Sequence, residues 1–266
     1  MIHSILLSSV LLLCFVTFVY FVALLRKDNS IADIAYGAGF ALVTLFLYFS
    51  QDITPSIRSS IITTLIAIWS ARIVYRIYMK NRGKKEDFRY AAWRAEWMKK
   101  GNIYTAVRSY IQVFLLQGII IFIVVLPGIL GNTPQNNTMQ WYNWAGVVLW
   151  IIGFIFESVG DAQLDRFLKR KKEGIEKAGI MKVGLWKYTR HPNYFGESLM
   201  WWGLAFICLF GVPYSVLVFV SPILITHLLL NVSGIPMLEA KWVGNPEWEE
   251  YKAKTSAFIP WFQEKR

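Results

Sequence analysis

The sequence has little charge and few of the residues that build soluble redox or metal sites. Only 17% of its 266 residues are Asp, Glu, Lys or Arg, whereas soluble domains carry about 25%. Its two cysteines and three histidines are too few and too scattered for a disulfide framework or a metal cluster. It contains neither a P-loop nor a G-x-G-x-x-G segment, so any nucleotide must be bound by another architecture. No metal site is predicted.

Long apolar runs take the place of the missing charge. Hydrophobic residues make up 55% of the chain, and a helix needs about 20 of them in succession to cross a bilayer. We therefore predict an all-α polytopic membrane protein with seven transmembrane helices. The predicted spans are 5–25, 31–50, 60–79, 104–130, 141–160, 195–210 and 214–232. The first is interpreted as a retained helix, because its basic residues follow the apolar run rather than precede it.

The basic residues indicate the orientation. The net charge is +11, and 24 of the 28 Lys and Arg residues fall in 26–27, 80–100, 166–190 and the tail from Lys241. The positive-inside rule then places the N-terminus outside and the C-terminus in the cytosol. This orientation explains most of the net positive charge without a nucleic-acid partner. The basic run 169–172 is suited to contact the headgroups of membrane lipids. We expect one membrane-embedded domain, 1–266, with cytosolic loops 80–103 and 161–192 capping its site.

Ionisable and amide residues gather at the inner ends of the predicted spans. Such residues are costly at membrane depth, so each marks a functional-site hypothesis. Several occur four residues apart, which places both members on one helix face. The pairs are Arg72 with Arg76, Glu157 with Asp161, and Asn193 with Glu197. Because their depths agree, we predict one polar cavity open to the cytosol, with an apolar chamber behind it.

The segment GLWKYTRHPNYFGE adds a second signal. Pro192 can begin a helix without losing a needed donor, and Asn193 follows in the first turn. The free N–H groups of a helix N-terminus attract anions, and Arg190 and His191 flank this one. From these residues alone, the segment is a candidate phosphate site.

Four motifs in order along the chain resemble one membrane enzyme family. They are DIAYGAGF in span two, RGKKEDFRYAAWR after span three, FESVGDAQLDRF at the end of span five, and RHPNYFGE at span six. With the C-terminal segment LEAKWVGNPEWEEYKAKTSAFIPWF, they make the chain similar to the bacterial branch of the steroid 5-alpha reductase-like family. Isoprenylcysteine carboxyl methyltransferases and phospholipid methyltransferases carry the pattern RHPxYxG, which RHPNYFG matches, and a similar ExxYxxY tail.

This resemblance implies a seven-helix enzyme that uses NADPH to reduce an activated carbon–carbon double bond of a sterol or another hydrophobic enone. The cofactor would come from the cytosol, and the hydrophobic small-molecule substrate would enter from the lipid. The residues that the resemblance assigns to the cofactor are Arg72, Glu157, Asp161, Arg190, His191, Asn193, Tyr194, Glu197, Ser233 and Glu239. Arg82, in the loop after span three, is a further candidate for the cofactor phosphates.

The substrate carbonyl needs a hydrogen-bond donor, because negative charge develops on its oxygen as hydride adds. Steroid reductases of this family use a Glu in span two and a Tyr in span three. Trp69 and Ser70 stand near that Tyr position here, so no matching pair is found. Tyr36, oriented by Asp33, is the candidate that replaces it.

Two other functions stay open. A membrane methyltransferase that uses S-adenosylmethionine would share the RHPNY segment and the tail, but its resemblance does not extend to the N-terminal motifs. A non-catalytic lipid binder or transporter subunit would not need the acidic and amide groups of spans five and six. The predicted location is the bacterial inner membrane, with the endoplasmic reticulum as the alternative, and the oligomeric state is not predicted.

Overall fold

The computed structural model describes residues 1–50, 54–133, 138–212 and 214–263. Every regular element within them is helical, which confirms the all-α class. The α-helices are α1 (Ile2–Arg26), α2 (Ile31–Phe49), α3 (Ile57–Asn81), α4 (Phe88–Met98), α5 (Asn102–Ser109), α6 (Leu116–Val124), α7 (Leu126–Gly131), α8 (Trp141–Lys172), α9 (Pro192–Cys208), α10 (Val220–His227), α11 (Ile235–Glu239) and α12 (Pro246–Lys254). The π-helical stretches are Tyr110–Leu115 and Leu228–Val232, and the 3₁₀ turns are Gly184–Lys187, Ser215–Phe219 and Ala240–Trp242.

The helices identify a multi-pass membrane protein. Among the described residues, six helical stretches are long and apolar enough to cross a bilayer. They are Ile2–Arg26, Ile31–Phe49, Ile57–Asn81, Asn102–Val124, Trp141–Lys172 and Ser215–Trp242. The other predicted span, 195–210, falls in α9, whose 17 residues rise about 26 Å, less than a hydrocarbon core of about 30 Å. The seventh span and the orientation stay predictions.

Local capping explains where several helices begin. Ser56, Asp87 and Asn245 precede α3, α4 and α12, and each side chain accepts a hydrogen bond from a backbone N–H of the first turn. Such caps stabilise a helix by about 1 kcal/mol. α9 begins at Pro192, as predicted from the missing donor of proline. The predicted loop 80–103 contains α4.

Met1–Met139 and Cys208–Val220 form the first of two compact units. Its core includes Phe40, Ile62 and Ile129, all fully buried. The guanidinium of Arg58 is also buried, and it donates to the carbonyl oxygens of Gly211 (3.0 Å) and Thr138 (2.8 Å). These bonds offset the free-energy cost of burying a positive charge in apolar surroundings.

Gln140–Ile207 and Ser221–Arg266 form the second unit, in which α8 and α9 touch through glycine. Gly146 and Gly153 of α8 are seven residues apart, as are Gly196 and Gly203 of α9. A Cβ added to Gly153 would lie 2.6 Å from the carbonyl oxygen of Gly196, and one added to Gly146 would lie 2.6 Å from that of Gly203. The contacts run in opposite directions along the two helices, so the helices are antiparallel. Small residues are the usual means of close backbone approach in membranes.

Replacing Gly153 with Ala should force α8 and α9 apart, since the new methyl group would meet backbone atoms, including Met200 N at 2.8 Å. We expect a loss of about 1–3 kcal/mol in the free energy of unfolding, as in other overpacked interfaces. Thermal unfolding in detergent measures it. Val148→Ala is the control, because that side chain lies exposed on the same helix. Equal stability of both variants would contradict a tight glycine contact.

Candidate functional site

Arg190 fastens the start of α9 to the C-terminal segment. Its Nε donates to Glu239 Oε1 over 2.9 Å. Its Nη1 donates to the carbonyl oxygens of Thr255 (2.6 Å) and Lys252 (3.2 Å), and its backbone N–H donates to Ser256 O (2.9 Å). The Arg190 side chain is only 8% exposed, so these bonds act in a low-dielectric setting where they are stronger than at a surface.

His191 shares the same carboxylate. Its Nε2 lies 2.9 Å from Glu239 Oε1, and its ring stacks on that of Tyr194 with 5.5 Å between centroids. The backbone N–H of His191 donates to Thr189 Oγ1 over 3.3 Å. Glu239 therefore holds both basic residues of the RHP sequence, and it does so from a position distant in the chain.

The C-terminal segment packs against the residues that precede α9. The Tyr251 hydroxyl donates to the carbonyl oxygen of Trp186, whose indole Nε1 donates to Gly160 O of α8 over 3.0 Å. Thr189 Oγ1 donates to Phe258 O over 2.9 Å. Burial raises the pKa of Tyr251, so the phenol keeps its proton and continues to donate at physiological pH.

Two carboxyl groups of α8 lie where this helix meets the first turn of α9. Glu157 and Asp161 are 2% and 4% exposed. Between them, a Cβ on Gly160 would lie 3.0 Å from Pro192 Cγ and 3.3 Å from Asn193 N. Ionisable groups buried on apolar helices mark a polar site, because their desolvation has to be offset by partners or ligands.

Some polar side-chain atoms of the second unit are buried without a hydrogen-bond partner among the described residues. They include His191 Nδ1, Asn193 Oδ1 and Ser158 Oγ. More than 90% of buried polar groups in proteins are satisfied, and an unsatisfied one costs about 1–3 kcal/mol. A bound ligand with N–H or O–H donors would satisfy the nitrogen and the amide oxygen. The residues therefore fit a cofactor that carries amide and hydroxyl groups.

In the first unit, the carboxylate of Asp33 is bound by residues of α4. Its Oδ1 accepts from the Tyr90 hydroxyl over 2.6 Å, and its Oδ2 accepts from Arg89 Nη2 over 2.9 Å. Arg89 also donates from Nε to the capping Asp87 over 2.9 Å. Burial raises the pKa of Tyr90, so its phenol stays protonated. The EDFRY sequence thus places α4 against the start of α2.

Glu86 extends this connection to the turn between α1 and α2. Its Oε1 accepts from the backbone N–H of Asn29 (2.8 Å) and from Arg94 Nη2 (2.8 Å), and its Oε2 accepts from Arg94 Nε (3.0 Å). Asn29 in turn donates from its side chain to Ser109 Oγ (3.1 Å). The acidic residues of the loop therefore join three segments of the unit.

The predicted site residues are distributed over both units. The first unit contains Asp33, Tyr36, Arg72 and Arg82. The second contains Glu157, Asp161, Arg190, His191, Asn193, Tyr194, Glu197, Ser233 and Glu239. Tyr36 packs edge-on against Phe40 with 4.9 Å between ring centroids, while Arg82 and Ser233 are exposed. A single cavity that includes both sets stays a prediction.

Several residues that organise these sites are not among the predicted site residues. Arg89 and Tyr90 belong to the motif RGKKEDFRYAAWR, and the structure shows that both bind Asp33. Tyr251 belongs to the C-terminal segment, and Gly160 to the FESVGDAQLDRF motif, where it lies seven residues after Gly153. The glycine spacing and the acidic residues beside aromatic ones were the signals that could have identified them.

Comparisons with known proteins found a family model and a curated relative that match the chain. A family model described as a protein of unknown function, DUF1295, matches residues 19–255. An uncharacterized protein of Schizosaccharomyces pombe is 28% identical over 181 residues, which cover 61% of this chain and 51% of the yeast protein. The chain thus spans about half the length of the curated relative it matches. No solved structure matches it.

Arg190→Lys should loosen the C-terminal segment, since one ammonium group cannot replace a fork that engages Glu239, Lys252 and Thr255 together. We expect a loss of about 3 kcal/mol in unfolding free energy and faster proteolysis after residue 240. Lys252→Ala is the matched control, because only the backbone of Lys252 takes part. Proteolysis at the wild-type rate in Arg190→Lys would contradict this role.

Proposed function

The chain belongs to the DUF1295 family, a steroid 5-alpha reductase-like group, and on that basis we propose that it is an NADPH-dependent integral membrane reductase. Its substrate would carry an activated carbon–carbon double bond, as in a sterol-like or other hydrophobic enone. The enzyme would have seven membrane spans, an outer N-terminus and a cytosolic C-terminus, in a bacterial inner membrane. It would belong to the bacterial branch of the group.

The observation that carries this proposal is the polar site at the α8–α9 contact. Glu157 and Asp161 are buried on a helix long enough to cross a membrane. Beside them, His191 Nδ1 and Asn193 Oδ1 are buried and have no partner within the described ranges. A protein that only bound lipid tails would gain nothing from these acceptors, since burying them without donors is unfavourable.

These side chains are suited to hold the donor-bearing parts of NADPH. The carboxylates and the Asn193 oxygen accept hydrogen bonds, so they match the ribose hydroxyls and the carboxamide N–H groups of the cofactor. The phosphates would be met by basic residues, for which Arg72 and Arg82 are our candidates. When bound, NADPH supplies the hydride, and the protein supplies position and electrostatics.

The substrate side of the proposal concerns α2. A hydrophobic enone would enter from the lipid, and a phenol near its carbonyl oxygen would stabilise the charge that develops there. Tyr36 is the proposed donor, with Asp33 as its neighbour in the chain. Asp33 accepts from both Arg89 and Tyr90, so α4 is attached to this end of α2.

A methyltransferase that uses S-adenosylmethionine is the second candidate. That cofactor also carries hydroxyl and amine donors, so the buried acceptors at the start of α9 suit it as well. The RHPNY segment and the tail, joined by the Arg190–Glu239 bonds, are the shared features that favour it. Because both candidate functions use the RHPNY segment, mutating it does not distinguish them. Identifying the bound cofactor does.

We expect the purified full-length protein to bind NADPH, and Asp161→Asn to weaken that binding about 10- to 100-fold, because a charge-assisted hydrogen bond is lost. Asp165→Asn is the matched control, since this exposed carboxylate lies one turn further along α8. Calorimetric titration in detergent measures both, and mass spectrometry of the untreated protein identifies any nucleotide that co-purifies.

Binding of S-adenosylmethionine without affinity for NADPH would replace the first candidate with the second. Equal NADPH binding by the Asp161→Asn variant, the control and the wild-type protein would remove Asp161 from the site.

A further inference from the structure

The two ring nitrogens of His191 lie in different environments. Nε2 is 2.9 Å from Glu239 Oε1, whereas Nδ1 is buried and has no hydrogen-bond partner in the part of the chain that the structure describes. The side chain is only 5% exposed, so bulk water does not reach this face of the ring freely. The ring therefore presents one satisfied and one unsatisfied nitrogen.

Glu239 decides which nitrogen carries the proton. Its carboxylate accepts from Arg190 at both oxygens, at 2.9 and 3.3 Å, and a carboxylate in this state offers only acceptors. The contact with His191 Nε2 is then a hydrogen bond only if Nε2 donates. In the neutral imidazole the other nitrogen is an acceptor without a proton.

The ring cannot turn to find another partner for Nδ1. A rotation would break the bond to Glu239 and the parallel stacking on Tyr194, which has an interplanar angle of 10°. The next polar residue along the chain, Asn193, also has a buried oxygen without a partner among the described residues. Both atoms are acceptors, so neither satisfies the other.

We propose that Glu239 is a positioning residue that fixes His191 in the Nε2-protonated tautomer, so that Nδ1 accepts a hydrogen bond from an N–H or O–H group of the bound cofactor. The identity of that cofactor as NADPH rests on the proposed function. Within NADPH the donor is either the carboxamide N–H or a ribose hydroxyl. Phosphate oxygens are acceptors, so this nitrogen does not bind the phosphates that the sequence led us to expect beside it.

The tautomer is tested without any ligand. The chain has three histidines, so protein labelled with ¹⁵N-histidine gives few signals, and His191→Gln assigns those of residue 191. We expect a protonated Nε2 and an unprotonated Nδ1 in the wild-type protein. In Glu239→Gln, whose amide also offers a donor, we expect a mixture of tautomers. A protonated Nδ1 in the wild-type protein would overturn the proposal.

The ligand contact is tested with NADPH itself. Glutamine at position 191 can still donate to Glu239 through its terminal amide but has no acceptor at the place of Nδ1. We therefore expect His191→Gln to keep its melting temperature and to bind NADPH about three- to tenfold more weakly. His227→Gln is the matched control, because His227 is exposed.

An NADPH analogue with an acetyl group in place of the carboxamide identifies the donor. If the carboxamide N–H is the donor, His191→Gln binds the analogue as well as the wild-type protein does. If a ribose hydroxyl is the donor, the variant is weakened equally toward both ligands.

NADPH binding at wild-type strength by His191→Gln overturns the proposed contact. Absence of NADPH binding by the wild-type protein instead overturns the proposed function, and the ligand-free spectrum still decides the role of Glu239.

Discussion

The close approach of α8 to α9 is the constraint on which the second unit depends. Glycines at Gly153 and Gly196 let backbone meet backbone, and any side chain there would separate the helices. The same approach brings the buried carboxyl groups of Glu157 and Asp161 to the first turn of α9. A polar site can then form on apolar helices, because its groups are brought together by the packing of the helices rather than by a loop.

Glu239 is the second organising feature. One carboxylate receives hydrogen bonds from Arg190 and His191, so the end of the last long helical stretch is joined to the start of α9. The remaining donors of Arg190 reach carbonyl oxygens of the C-terminal segment, and Tyr251 connects that segment to Trp186. Arg190 and Tyr251 are buried within the protein, so their polar groups are satisfied by other protein groups rather than by bulk water.

The chemical character of the start of α9 differs from what its composition implies. Arg190 and His191 make this segment basic in sequence. However, the guanidinium of Arg190 is hydrogen-bonded to the Glu239 carboxylate and to carbonyl oxygens, and His191 Nε2 is hydrogen-bonded to the same carboxylate. The two unpartnered buried atoms of this segment, His191 Nδ1 and Asn193 Oδ1, are both acceptors in the proposed tautomer. Hydroxyl and amide donors of a ligand would complement them.

The sequence alone determined the helical class, the six membrane-length stretches and the start of α9 at Pro192, because the length of an apolar run and helix capping depend on residues close together in the chain. It also placed polar residues at helix ends. Only the tertiary structure decided that Arg89 and Tyr90 bind Asp33. It also joined Arg190 to Glu239, 49 residues away. Such pairings depend on which helices approach one another, and no local pattern encodes that approach.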